Sequence, residues 1–148
     1  MRPISRILRE KNTLAWVLLV TALALHIFDE ASTNFLDFYN PLVLRLRENL
    51  GFFPMPTFEF GVWISGLIMV VLIGFLLTLL VKRGGLFIRI FATVIGLIMI
   101  LNGLGHMLGS VYFGRILPGF WSSPFLFVAA VWMVIRGVGG NWQISAKM

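Results

Sequence analysis

From Gly61 to Val81 the chain runs through 21 residues without a charged side chain. A helix of about 20 apolar residues is what the hydrocarbon core of a bilayer demands, and a water-soluble fold has no comparable use for one. The rest of the chain agrees. Only 12% of its 148 residues are charged and 59% are hydrophobic, with a mean hydropathy of +0.94, whereas a soluble domain carries about 25% charge. The fold class expected is therefore an all-α integral membrane protein in a single domain over residues 1–148. With no cysteine, disulfides, iron–sulfur ligation and thiol catalysis are excluded.

Four apolar runs predict a four-helix transmembrane bundle, with spans over about 13–36, 59–81, 86–110 and 117–136. The first run, Leu14 to Phe28, has a basic segment before it and an Ala22-Leu-Ala24 step resembling a cleavage site, as in a signal peptide. We read it as an uncleaved span that continues past Asp29 and Glu30 towards Phe35 and Leu36. Asn40-Pro41 has the chemistry of a helix start. Leu42, Val43, Leu46 and Leu50 then recur at helical spacing, which predicts a short amphipathic helix over about 41–50 lying at the membrane surface. Pro118-Gly119 is expected to open the fourth span. Gly105 and Gly109, and Gly61 with Ser65, have the spacing that lets membrane helices approach closely.

The net charge of +6 is distributed as a topology signal rather than as a phosphate-binding stripe, so nucleic acid is not expected as a partner. Nine Lys and Arg fall at the N-terminus, the 82–89 turn and the C-terminal tail, against Arg45, Arg47 and Arg115 on the other side. The positive-inside rule then places both termini in the cytoplasm, as in a multi-pass protein of a bacterial inner membrane. Trp16, Trp63, Trp121 and Trp142 fall near the span ends, where an aromatic belt would sit.

Against this apolar background, His26-x-x-Asp29-Glu30 and Asn102-x-x-x-His106 stand out. An aspartate near the centre of a span costs ~2.5–3.5 kcal/mol, against ~0.3–0.6 kcal/mol gained by each large apolar side chain, so unpaired carboxylates in the first span would offset much of its insertion energy. Both stretches fall in the outer half of the bilayer at about 1.5 Å rise per residue. His26, Asp29 and Glu30 share a helix face, and Asn102, His106 and Ser110 form a polar stripe on another. The two stretches are expected to meet in one polar site.

That site admits three readings. His26, Glu30 and His106 could ligate a divalent metal (zinc, iron or manganese). The same groups with Asp29 could perform metal-free acid–base chemistry, or the cluster could merely fix helix packing. As an enzyme the chain would use His26, Asp29, Glu30 and His106 catalytically, with Asn102 and Arg115 holding a lipid or isoprenoid-like substrate, Arg115 at its anionic headgroup. The alternative is a non-enzymatic subunit of a larger membrane complex that binds lipid, quinone or pigment. A proton or ion transporter is a third reading, disfavoured by four short spans without a repeat. The bilayer, a hydrophobic small molecule and other membrane subunits are the partners expected.

The order His26-x-x-Asp29-Glu30, Asn102-x-x-x-His106 and Arg115-Ile-Leu-Pro118-Gly119 resembles the HXXEE family of small integral membrane proteins. The resemblance extends from the first span to the start of the fourth. Asp29 stands where the family name calls for Glu, one methylene shorter. What the resemblance implies is a shared polar site, and it supplies no reaction.

Overall fold

The structure is a computed structural model that describes residues 4–139, with side-chain surroundings from residue 10 onward. Residues 1–3, with Arg2, and the tail from 140, with Trp142 and Lys147, lie outside the described residues. Five helices and no strand make up the described part: α1 (Ile4–Ser32), α2 (Phe35–Leu50), α3 (Phe60–Arg83), α4 (Leu86–Tyr112) and α5 (Ser123–Gly139). Three segments are long and apolar enough to cross a membrane, namely Glu10–Ser32 of α1, α3 and α4. The apolar α5 has 17 residues, or about 25 Å at 1.5 Å per residue, the short end of what a bilayer requires.

The first helix stops earlier than its hydropathy predicts. Ser32 and Thr33 turn their hydroxyls back onto the carbonyls of Phe28 and Asp29, at 2.7 and 2.6 Å, and Asn34 adopts a left-handed conformation with φ 57°. Asn is among the few residues that enter this region readily. The chain therefore breaks at Thr33-Asn34 instead of running to Leu36, and Phe35 opens a new helix.

That helix, α2, begins six residues before the expected Asn40-Pro41 start, and Pro41 lies inside it. Asn40 is not a cap. Its amide donates to the Phe58 carbonyl at 2.9 Å and accepts from the Phe58 N–H at 3.0 Å. Together with the bond from the Tyr39 hydroxyl to Pro56 O and those from the Arg47 guanidinium to Phe53 O and Met55 O, it ties the returning segment 51–59 along α2. Of the apolar positions expected on its face, Val43 is buried against the rest of the chain and Leu50 is 63% exposed.

At the other end of the bundle, Gly84 (φ 82°) and Gly85 (φ 114°) make the α3–α4 turn in a region closed to most side chains. α1 lies between α3 and α5, and α4 packs along α5, whereas α3 and α4 touch at few points. Leu19, Leu126, Ala130 and Met133 are fully buried at the centre. The glycines that bring α4 and α5 together are Gly96 and Gly103, where a Cβ would meet Val134, Ala130 O and Ser123 O. Of the pairs expected, Gly105 and Gly61 have no neighbour within 4 Å of such a Cβ, while one at Gly109 would lie 3.0 Å from the Leu117 side chain. Trp16, expected near a span end, turns into the protein rather than towards lipid. It is 2% exposed, and its indole N–H donates to Gly74 O of α3 at 2.8 Å, because a buried indole needs an acceptor. Trp63 is likewise buried, stacked on Phe35 at 5.7 Å.

Candidate functional site

His26 and Glu30 occupy successive turns of α1, so their side chains leave the helix on one face. α4 brings His106 to the same place. Its Nε2 lies 3.1 Å from Glu30 Oε1, and His26 Nε2 lies 3.6 Å from the same oxygen. The two imidazoles meet edge to face, with centroids 4.8 Å apart. His26 and Glu30 are buried. The two expected stretches therefore do meet.

The outer nitrogens of both rings are committed. His106 Nδ1 lies 2.6 Å from the carbonyl of Pro118, which can only accept, so Nδ1 carries the proton. His26 Nδ1 lies 2.9 Å from the hydroxyl of Ser122. That hydroxyl is 2.8 Å from Asp29 Oδ2, and its one proton goes to the carboxylate, the stronger acceptor. His26 Nδ1–H accordingly donates to Ser122 Oγ. With both Nδ1 atoms protonated, the two neutral rings turn Nε2 lone pairs towards Glu30 Oε1. Three acceptors then face one another, and His26 Nε2 has no hydrogen-bond partner. A cation, a proton added to either ring, or the Nε2–H tautomer of His26 with Ser122 donating to its Nδ1 each relieves that repulsion.

The loop between α4 and α5 closes the site. The chain does not open its last helix at Pro118-Gly119 as expected; α5 starts at Ser123. The interval holds Pro118 O and Ser122 against the imidazoles, and Gly119 lies between them with φ 80°. A Cβ at 119 would stand 2.9 Å from His26 Cε1 and 3.0 Å from both Glu30 Cγ and His106 Nδ1. Ser110 supports the loop, donating to His106 O and accepting from the Leu117 N–H. Phe35 packs against His106, ring centroids 5.8 Å apart, a contact made possible by the Asn34 break.

The remaining expected site residues stand apart from this group. Asp29 points to the loop and receives both the N–H and the hydroxyl of Ser122, at 2.9 and 2.8 Å. Arg115 is exposed, with its guanidinium over the ring of Phe38 at 5.6 Å. Asn102 lies a turn below His106 on α4, and its Oδ1 is buried without a hydrogen-bond partner. Ser122 and Phe35 have no place in the sequence reading of the site, and Pro118-Gly119 enters it only through the family pattern and as a helix start. Pro118-Gly119 has the local chemistry of such a start, and nothing local marks Ser122.

His26, Glu30 and His106 each offer one ligand atom, all within 4.8 Å of one another. A tetrahedral ion with bonds of about 2.0–2.2 Å separates its ligand atoms by about 3.3–3.6 Å. The two Nε2–Oε1 separations of 3.1 and 3.6 Å are near that spacing. The whole set spans up to 4.8 Å, so the imidazoles would draw together around an ion. Two imidazoles and a carboxylate are a set used by catalytic zinc and by non-haem iron, which leave further positions open. Contacts of this kind at Nδ1 are also what orients histidines at known metal sites.

Comparison with curated proteins and with solved structures finds no match. A family model described as a protein of unknown function with HXXEE motif matches residues 16–133, from the buried Trp16 to Met133 at the centre of α5. That match takes in every residue of the His/Glu group and the loop that closes it, and the chain belongs to the HXXEE family.

Proposed function

We propose that the protein is a membrane-embedded, metal-dependent enzyme in which His26, Glu30 and His106 hold a divalent ion in the outer half of the bilayer. The single observation that carries this reading is the approach of two Nε2 atoms to Glu30 Oε1, each imidazole held through its Nδ1. The charges balance as well: a divalent cation meets the Glu30 and Asp29 carboxylates, and the neutral imidazoles add nothing. In this reading α1, α3, α4 and α5 form a four-span bundle, both termini face the cytoplasm, and α2 lies on the outer surface. Asp29 is a positioning residue acting through Ser122 on His26, rather than a ligand. An ion with an open position acidifies a bound water or hydroxyl and polarises an ester or phosphoryl oxygen. Placed at bilayer depth, that chemistry suits a lipid or isoprenoid-like substrate.

One observation favours the alternative of a subunit in a larger complex that binds lipid, quinone or pigment. Within the bundle α3 buries only 11% of its most apolar window, which leaves a wide face for another membrane chain. Metal analysis of detergent-purified protein loaded in turn with zinc, ferrous iron and manganese separates the readings. We expect about one ion per chain, lost in His26→Ala and His106→Ala. A wild-type protein that takes up none of the three overturns the metal reading, and stoichiometric partner chains in the same preparation favour the subunit.

A further inference from the structure

A crevice of about 130 Å³ opens between α1, α3 and α4. Its α1 wall is Trp16, Leu19, Val20 and Leu23, and Ile95 and Met99 form the α4 wall. The Trp16 indole N–H is already spent on Gly74 O, so the lining offers no free polar group. Its mouth faces the bilayer, because α3 and α4 scarcely touch and Val70 and Ile73 on the α3 side are about half exposed. Apolar cavities of about 150 Å³ stay dry and take up small hydrocarbons.

The crevice and the His/Glu group lie on the same helix faces. Along α1, Leu19, Leu23, His26 and Glu30 follow at intervals of four, three and four, and along α4 the same intervals relate Ile95, Met99, Asn102 and His106. Residues so spaced form one continuous stripe. Each stripe is hydrocarbon at its lower end and ionisable at its upper end. Leu23 lies about 4.5 Å below His26, and Met99 about the same below Asn102, at 1.5 Å per residue. At the junction stands Asn102, whose buried Oδ1 lacks a donor.

We infer that this groove binds a long-chain alcohol from the bilayer, with its hydrocarbon chain in the crevice and its hydroxyl at Asn102, facing His26, Glu30 and His106. This rests on reading the His/Glu group as the reactive end. A hydroxyl meets both demands of the junction: its proton satisfies Asn102 Oδ1, and its oxygen lone pairs turn towards the ion. A carboxylate or an ester has no proton to give Asn102.

Trp16 in the crevice wall provides the readout. Full-length protein in detergent is titrated with a long-chain alcohol brominated at its far end, and with the bromoalkane of equal length. The emission lost in Trp16→Phe identifies the Trp16 signal. We expect the alcohol to quench that signal at a concentration about two- to tenfold lower than the alkane, the worth of one hydrogen bond at about 0.5–1.5 kcal/mol. Ile95→Phe and Met99→Phe, two independent fillings of the crevice, should each weaken quenching by both probes. Asn102→Leu should abolish the preference for alcohol. Equal quenching by alcohol and alkane in the wild type, or a preference that survives Asn102→Leu, overturns the inference. Metal content measured on the same samples keeps the two ideas separate. An Asn102-dependent preference without bound metal retains the alcohol site and removes the metal, whereas bound metal without the preference does the reverse.

Discussion

Gly119→Ala tests the closure of the site with one methyl group. Two costs are superposed at this position. At φ 80° an L-residue is in a left-handed conformation that costs roughly 1–2 kcal/mol. The new Cβ also falls 2.9–3.0 Å from atoms of His26, Glu30 and His106, and overpacking of this kind costs roughly 1–3 kcal/mol. The sum, about 2–5 kcal/mol, lowers the melting temperature by roughly 4–20 °C at ~2–4 °C per kcal/mol for a chain of this length. Gly114→Ala is the matched control: its φ is 61°, and nothing lies within 4 Å of its Cβ, so it carries the backbone cost alone. Because the methyl pushes against His106 Nδ1, the imidazole must leave its bond to Pro118 O. Disturbing such an outer contact weakens metal binding by about 10–100-fold. Thermal unfolding in detergent and zinc titration are run on both variants. Equal melting shifts for the two, or zinc affinity in Gly119→Ala that matches the wild type, would refute the account of Gly119 as the closure of the site.

Further predictions concern the groups around the site and the helix ends. Ser122→Ala removes the acceptor of His26 Nδ1–H and the link to Asp29, and zinc titration should show about 10–100-fold weaker binding; if Asp29→Asn then weakens it by the same further factor, the relay through Ser122 is wrong. Zinc occupancy at fixed total zinc should fall as pH falls, since protons compete for both Nε2 lone pairs; occupancy that does not change with pH in equilibrium dialysis would exclude imidazole ligation. Arg89→Met removes donors to Gly137 O and Val138 O at the end of α5, at 2.6 and 2.9 Å. It should cost roughly 1–3 kcal/mol of stability by thermal unfolding while zinc affinity is unchanged. Trp16→Phe loses the buried bond to Gly74 O and should cost about 1–2 kcal/mol by the same measurement.

The sequence by itself determined the all-helical, apolar character of the chain, and it located the two stretches that meet. Charge-free runs admit few conformations at bilayer depth, and an i, i+4 pair such as His26 and Glu30 shares a face in any helix. Periodicity could not choose between the two acidic residues. Asp29 and Glu30 stand to opposite sides of His26, by about 60° and 40° at roughly 100° per residue, and either could have faced α4. Only the placement of α4 on one side and the 113–122 loop on the other decided that Glu30 meets His106 and Asp29 meets Ser122. The loop was illegible for a related reason. Pro118-Gly119 has the local chemistry of a helix start, and its actual path is set by bonds to residues about 90 positions away in sequence, such as Ser122 with Asp29. The break at Asn34 follows the same pattern, since hydropathy carried the first helix past it while local bonds from Ser32 and Thr33 ended it. Local sequence specified which groups would be costly in the bilayer; the packing of α1, α4 and the loop decided how each acquired a partner.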